Sequence, residues 1–198
     1  MRFYWFPLLL IFLFGCTNTK ANRSNLLDFV PKKTSVIIKT TNLESFKSSI
    51  ANSDFLQTIS NTKPYKNLQN KLESLSVLNP TKDILICFSN DKNDSLQYSV
   101  ITKLTQNLIQ KDSLPNYIEE TLSYKNETIT KSTINNSVFY STIIDSTFFA
   151  SSSKTIVDDL FNSTNENIDL KKIYNSSSND KTGSIILAPN HDFIKTLF

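Results

Sequence analysis

The sequence predicts an α+β fold, a mainly antiparallel sheet of about six strands covered by short amphipathic helices. Three observations carry this reading. Apolar, β-branched runs of strand length follow one another in adjacent pairs, and stretches with apolar residues at three- and four-residue spacing fall between the groups of strands. The 198 residues hold one core and a targeting segment, and are too few for two full-size domains. Hydrophobic residues make up 39% and charged residues 20%, a globular balance. Ser, Thr and Asn fill about a third of the chain, so the surface should be polar and weakly charged.

At the N-terminus, Met1-Arg2 precedes an apolar run over residues 3–14, then Gly15-Cys16 and the polar Thr17-Asn18-Thr19-Lys20. Twelve apolar residues are too few to span a bilayer, which takes about 20. A buried helix would need core on every side for Trp5, Phe6, Phe12 and Phe14, with Pro7 inside it. The order is that of a signal peptide. Leu13-Phe14-Gly15-Cys16 resembles the lipobox of bacterial lipoproteins, matching at Leu13, Gly15 and Cys16, with Phe14 where a smaller residue is usual. The resemblance implies removal of residues 1–15 and a diacylglyceryl thioether on Cys16, so that the partner of the mature chain is a membrane reached through acyl chains. Each buried CH2 of those chains contributes about 0.8 kcal/mol. The rival, a eukaryotic secretory signal, would use the sequons at Asn22, Asn93, Asn126 and Asn162. Such triplets arise by chance at this composition, and Cys87 alone remains where a secreted domain would carry disulfides. Residues 16–25 read as a lipidated flexible tether.

The domain is expected over residues 26–182. After Pro31, Thr34-Ser35-Val36-Ile37-Ile38-Lys39-Thr40 predicts a strand, and Asn42 caps a helix burying Leu43, Phe46 and Ile50. Asp54 caps a short second helix. Pro64 opens a longer one with Tyr65, Leu68, Leu72 and Leu75 on its core stripe. Residues 83–88, apolar on both faces, predict a central strand, paired as a hairpin with the region of Leu96, Tyr98, Val100 and Ile101. Pro115 suggests a helix over residues 116–122. Residues 127–134 and 137–144 form a hairpin across Asn135-Asn136, and Thr147-Phe148-Phe149-Ala150 adds a strand. Residues 154–161 predict a helix burying Ile156, Val157, Leu160 and Phe161, and residues 162–181 a polar loop.

Residues 183–198 read as the start of a second copy, incomplete at its end. Ser184-Ile185-Ile186-Leu187, then Asn190, Asp192, Phe193 and Lys195, echo Ser35-Val36-Ile37-Ile38, then Asn42, Glu44, Phe46 and Lys47. Exposure of Phe193, Leu197 and Phe198 would accompany a missing remainder, and their burial a complete single unit.

The lipobox, the opening from Pro31 to Lys47 and this order of elements together resemble exported lipoproteins of uncharacterised function from Bacteroidota. The match covers Pro31, Val36, Ile38, Leu43 and Phe46, which are packing residues, and implies no chemistry. No acidic cluster resembling the surface-export signal of that group follows Cys16, so the resemblance implies an outer-membrane anchor facing the periplasm. Asp94-Ser95-Leu96, Asp112-Ser113-Leu114 and Asp145-Ser146-Thr147 resemble its O-glycosylation sites, implying sugar on Ser95, Ser113 and Ser146.

No catalytic constellation, cofactor site or metal site is expected. Two glycines exclude a phosphate loop, a Rossmann turn and a Gly-x-Ser-x-Gly elbow. One His and two Cys exclude a zinc cluster. Glu119-Glu120 and Asp158-Asp159 are placed on helices as solvated faces, where neighbours diverge by about 100°. His191 lies far along the chain from Cys87, itself in the apolar middle of a strand. A formal charge of +3 with scattered lysines gives no stripe for nucleic acid. The expectation is a non-enzymatic, lipid-anchored envelope protein acting as an interaction or structural module with an envelope partner. Its rivals are a periplasmic solute- or polysaccharide-binding lipoprotein and the N-terminal adaptor of a longer enzyme.

Overall fold

Eight strands form one antiparallel sheet in the computed structural model, which describes residues 23–52, 66, 77–111, 114, 116–134, 137–162, 174 and 183–187. In chain order the elements are a 3-10 turn over Leu26–Phe29, β1 (Thr34–Thr40), α1 (Leu43–Ala51), β2 (Ile84–Asn90), β3 (Leu96–Lys103), β4 (Ile118–Tyr124), β5 (Glu127–Ile134), β6 (Ser137–Ile144), β7 (Thr147–Ser151), α2 (Lys154–Leu160) and β8 (Gly183–Leu187). Across the sheet the order is β4-β5-β6-β7-β3-β2-β1-β8. The meander β4 to β7 docks its last strand on β3, through pairs such as Val100 with Ala150. The helices expected from Asp54 and Pro64 lie outside the described residues, apart from the single helical position Lys66.

Because side chains alternate across a strand, the sheet divides the core in two. Val36, Ile38, Ile84, Ile86, Phe88, Val100 and Phe148 face α1, whose Leu43 and Phe46 are buried against them. Ile37, Leu85, Cys87, Ile101, Ile129 and Phe149 face the opposite way, under the 3-10 turn and α2. A sheet buried on both faces needs strands apolar at successive positions, and the five consecutive buried apolar residues from Ile84 to Phe88 meet that requirement. The N-termini of α1 and of the 3-10 turn are fastened by side chains. Asn42 Oδ1 accepts from the Ser45 backbone N–H at 2.8 Å, and Asn25 and Asp28 form a reciprocal capping box around the 3-10 turn.

Two expectations are corrected. The sheet has eight strands, where about six were expected. Residues 116–122 contain no helix: Asn116 takes a positive φ of 59°, and Ile118–Tyr124 is an edge strand paired with β5 from Ile118–Thr133 to Tyr124–Glu127. Pro115 and two glutamates look like a helix start, but the tight turn at Lys125-Asn126 (φ 48° and 66°) folds this segment onto β5 and fixes its register. Residues 127–134 and 137–144 are strands with the bounds expected, and β8 contains the strand expected at residues 184–187.

Candidate functional site

A cleft of about 330 Å³ opens on the α2 face, between the turn entering β1, the β2–β3 turn and α2. Phe149 and Ile156 line its apolar wall, while Lys32, Lys33 and Lys92 bring three ammonium groups. Lys92 Nζ lies 2.9 Å from Asp159 Oδ1, and that hydrogen bond, followed by the charge of Asp159, pushes the lysine above its ordinary pKa. Asp91 is committed to the turn: its Oδ1 accepts from the backbone N–H groups of Asn93 at 2.9 Å and Ser95 at 3.1 Å. With both acids so engaged, the exposed Lys32 and Lys33 give the rim its net positive character. Such a site suits an anion carrying an apolar group. Arg23, the first described residue, donates from Nη1 to the Leu160 carbonyl at 3.1 Å, so the chain enters beside a residue that lines the cleft.

A second cluster occupies the α1 face at the β4 edge. Tyr117 Oη donates to Glu119 and lies 3.2 Å from Ser132 Oγ, while Lys111 Nζ donates to Glu119 at 2.7 Å. Burial, reinforced by the hydrogen bond to Glu119, pushes Tyr117 up to about 12. Burial also pulls the Glu119 carboxyl upward, but the hydrogen bonds from Lys111 and Tyr117 outweigh it and hold the group below its ordinary range. The cluster is a charge-paired hydrogen-bond network centred on Glu119. Among the described residues no group of three or more His, Cys, Asp or Glu could hold a metal ion.

The structure separates the residues singled out in the sequence. Glu119 and Glu120 lie on β4 and not on a helix, so they point to opposite faces, Glu119 to Lys111 and Glu120 to Lys131 at 3.0 Å. Asp158 pairs with Lys154 one turn back at 2.8 Å, and Asp159 with Lys92. Cys87 is fully buried, and burial pushes its thiol far up, which leaves no thiolate for nucleophilic chemistry. Ser95 and Ser146 are exposed in the β2–β3 and β6–β7 turns, at opposite ends of the sheet. Cys16, Ser113 and His191 lie outside the described residues, as do Phe193, Leu197 and Phe198. The cleft residues had no local signal, because positions 31–33, 90–92 and 149–160 meet only in the folded sheet.

No family model, no curated protein and no solved structure matches this chain.

Proposed function

We propose that this is a lipid-anchored protein of the bacterial cell envelope whose domain acts as a non-enzymatic interaction module, held by acyl chains on Cys16 to the outer membrane on its periplasmic side. One observation carries the reading: a charged start, twelve apolar residues, Gly15-Cys16 and an abrupt polar tether. The placement of the described chain supports it, since Arg23 sits at the domain surface only seven residues after Cys16, a reach of about 25 Å at full extension. The pairing of each conspicuous carboxylate with a lysine supports a module without catalysis. Labelled palmitate tests the anchor. Label should enter the wild type and be lost in Cys16→Ala, with equal labelling of both overturning the reading.

A second reading, a solute-binding lipoprotein, is favoured by the cleft, whose volume falls at the lower end of small-ligand sites. Its ligand would be an amphipathic anion. A fatty acid titrated against the wild type and Lys32→Glu/Lys33→Glu separates the readings: binding lost in the double variant favours the solute binder, and no binding by the wild type removes it.

A further inference from the structure

The pairing of β1 with β8 is close to self-symmetric. In the sequence echo, Val36, Ile37 and Ile38 correspond to Ile185, Ile186 and Leu187. In the sheet, Val36 lies opposite Leu187, Ile37 opposite Ile186 and Ile38 opposite Ile185. Each strand therefore meets its own counterpart about a local two-fold through Ile37 and Ile186. A Ser-Ile-Ile-Leu segment thus pairs antiparallel with its own pattern, without like charges facing each other. Yet the two strands differ in cover. Val36 and Ile38 are 6% and 4% exposed beneath α1, whereas Ile185 and Leu187, on the same face, are 56% and 47% exposed.

The two edges of the sheet differ in the same sense. Natural edge strands are guarded by charge, proline or a bulge. At one end, β4 presents the exposed Glu119 and Glu120. At the other, β8 consists of Gly183, Ser184, Ile185, Ile186 and Leu187, has no charged side chain, and pairs with β1 alone among the described strands.

We infer that the outer edge of β8, which pairs with no described strand, is a docking strand for a second copy of this chain, with β8 pairing antiparallel to β8 of the copy about Ile186, as it already pairs with its counterpart β1. The dimer joins two sheets edge to edge and brings Ile185 and Leu187 of each copy side by side on one face. Pro189 follows two residues later, and its missing N–H confines the new ladder to about five residues. An interface of that size lies below the roughly 1,200 Å² of a stable complex, so the dimer is weak and reversible. The inference is independent of the anchor, and its test uses chain without lipid.

Sedimentation velocity on the chain from Thr17, which holds every described element, should show monomer and dimer exchanging between about 10 and 500 µM, the range expected for a small interface. Ile185→Lys, at an exposed side chain, should raise the dissociation constant at least about tenfold, equivalent to 1.4 kcal/mol, with an unchanged thermal midpoint. Mixing Ile185→Cys with Leu187→Cys protein should give a crossed disulfide in preference to either self-disulfide. A wild type that stays monomeric at 500 µM, or a dimer indifferent to Ile185→Lys, overturns the inference, including when a strand of some other protein takes the edge.

Discussion

Gly183 lies directly against the ring of Phe46: a Cβ on this glycine would stand 2.6 Å from Phe46 Cδ2 and 3.1 Å from the Lys39 carbonyl oxygen. Gly183 has no positive φ, so the residue is required by space, not by backbone conformation. It lets α1 pack down where β8 joins β1. Gly183→Ala should destabilise the domain by about 1–3 kcal/mol, the usual cost of overpacking, measured by urea denaturation. A change below about 0.5 kcal/mol would show that Phe46 swings aside freely.

The tight hairpin turns place ordinary residues in left-handed backbone, with Lys125 and Asn126 at φ 48° and 66°, and Asp145 and Ser146 at 48° and 59°. A non-glycine residue pays about 1–2 kcal/mol for that conformation. Lys125→Gly should therefore raise stability by about 0.5–1 kcal/mol, less than the full strain because glycine also loosens the unfolded chain. An unchanged or lowered urea midpoint would mean that Lys125 contacts outweigh the strain.

Tyr117 and Tyr174 both have pKa values pushed up to about 12, Tyr117 chiefly by burial and then by Glu119, Tyr174 chiefly by burial and then by the Asp83 carboxylate. The neutral phenol is thus favoured in the folded state. The stabilisation is fully present below pH 10, where the unfolded phenol begins to ionise, and is lost as pH rises toward 12. Ultraviolet titration of folded protein should show two tyrosines ionising late. Tyr117→Phe and Tyr174→Phe should each remove one of them and flatten the loss of stability above pH 10.

Cys87 should resist thiol reagents while the domain is folded, because its sulfur is fully buried and its ionisation suppressed. Labelling then waits for opening, so its rate should fall at least about a thousandfold below that of an unfolded thiol. Labelling within minutes in native buffer would show that the middle of β2 is open to solvent.

Replacing Phe149, fully buried between α2 and the centre of the sheet, by Ala should cost about 3–5 kcal/mol. Since that ring also walls the cleft, the variant tests whether fold and site share one support. A cost under 1 kcal/mol would indicate collapse of the cleft onto the space left behind.

Legibility in the sequence followed how local the governing interaction was. Asn42 announces its helix because its side chain satisfies a backbone group three residues away. β5 and β6 could be bounded because their alternation is interrupted by Asn135-Asn136, a pair suited to a tight turn. β4 was missed because Ile118, Thr121 and Leu122 alternate poorly on an edge strand, whose burial is partial at best, and because the turn at Lys125 has no glycine to mark it. The cleft was invisible for a different reason. Lys32, Lys92 and Asp159 become neighbours only when β1, β2 and α2 assemble, and isolated lysine pairs are more often solvated surface.

The seam between β1 and β8 also bears on the order in which the molecule assembles. Ile37 and Ile186 are about 150 residues apart along the chain, whereas the β4–β5 and β6–β7 hairpins turn over two residues each. Closing so long a loop costs about 2 kcal/mol more entropy than closing one of ten residues. The hairpins should therefore zip early and β8 should arrive late, its few ladder bonds the first to open and the fastest to exchange their amide hydrogens. A strand that joins last and leaves first spends part of its time detached, so β1 rather than β8 is then the momentary edge of the sheet, with Val36 and Ile38 already sheltered under α1.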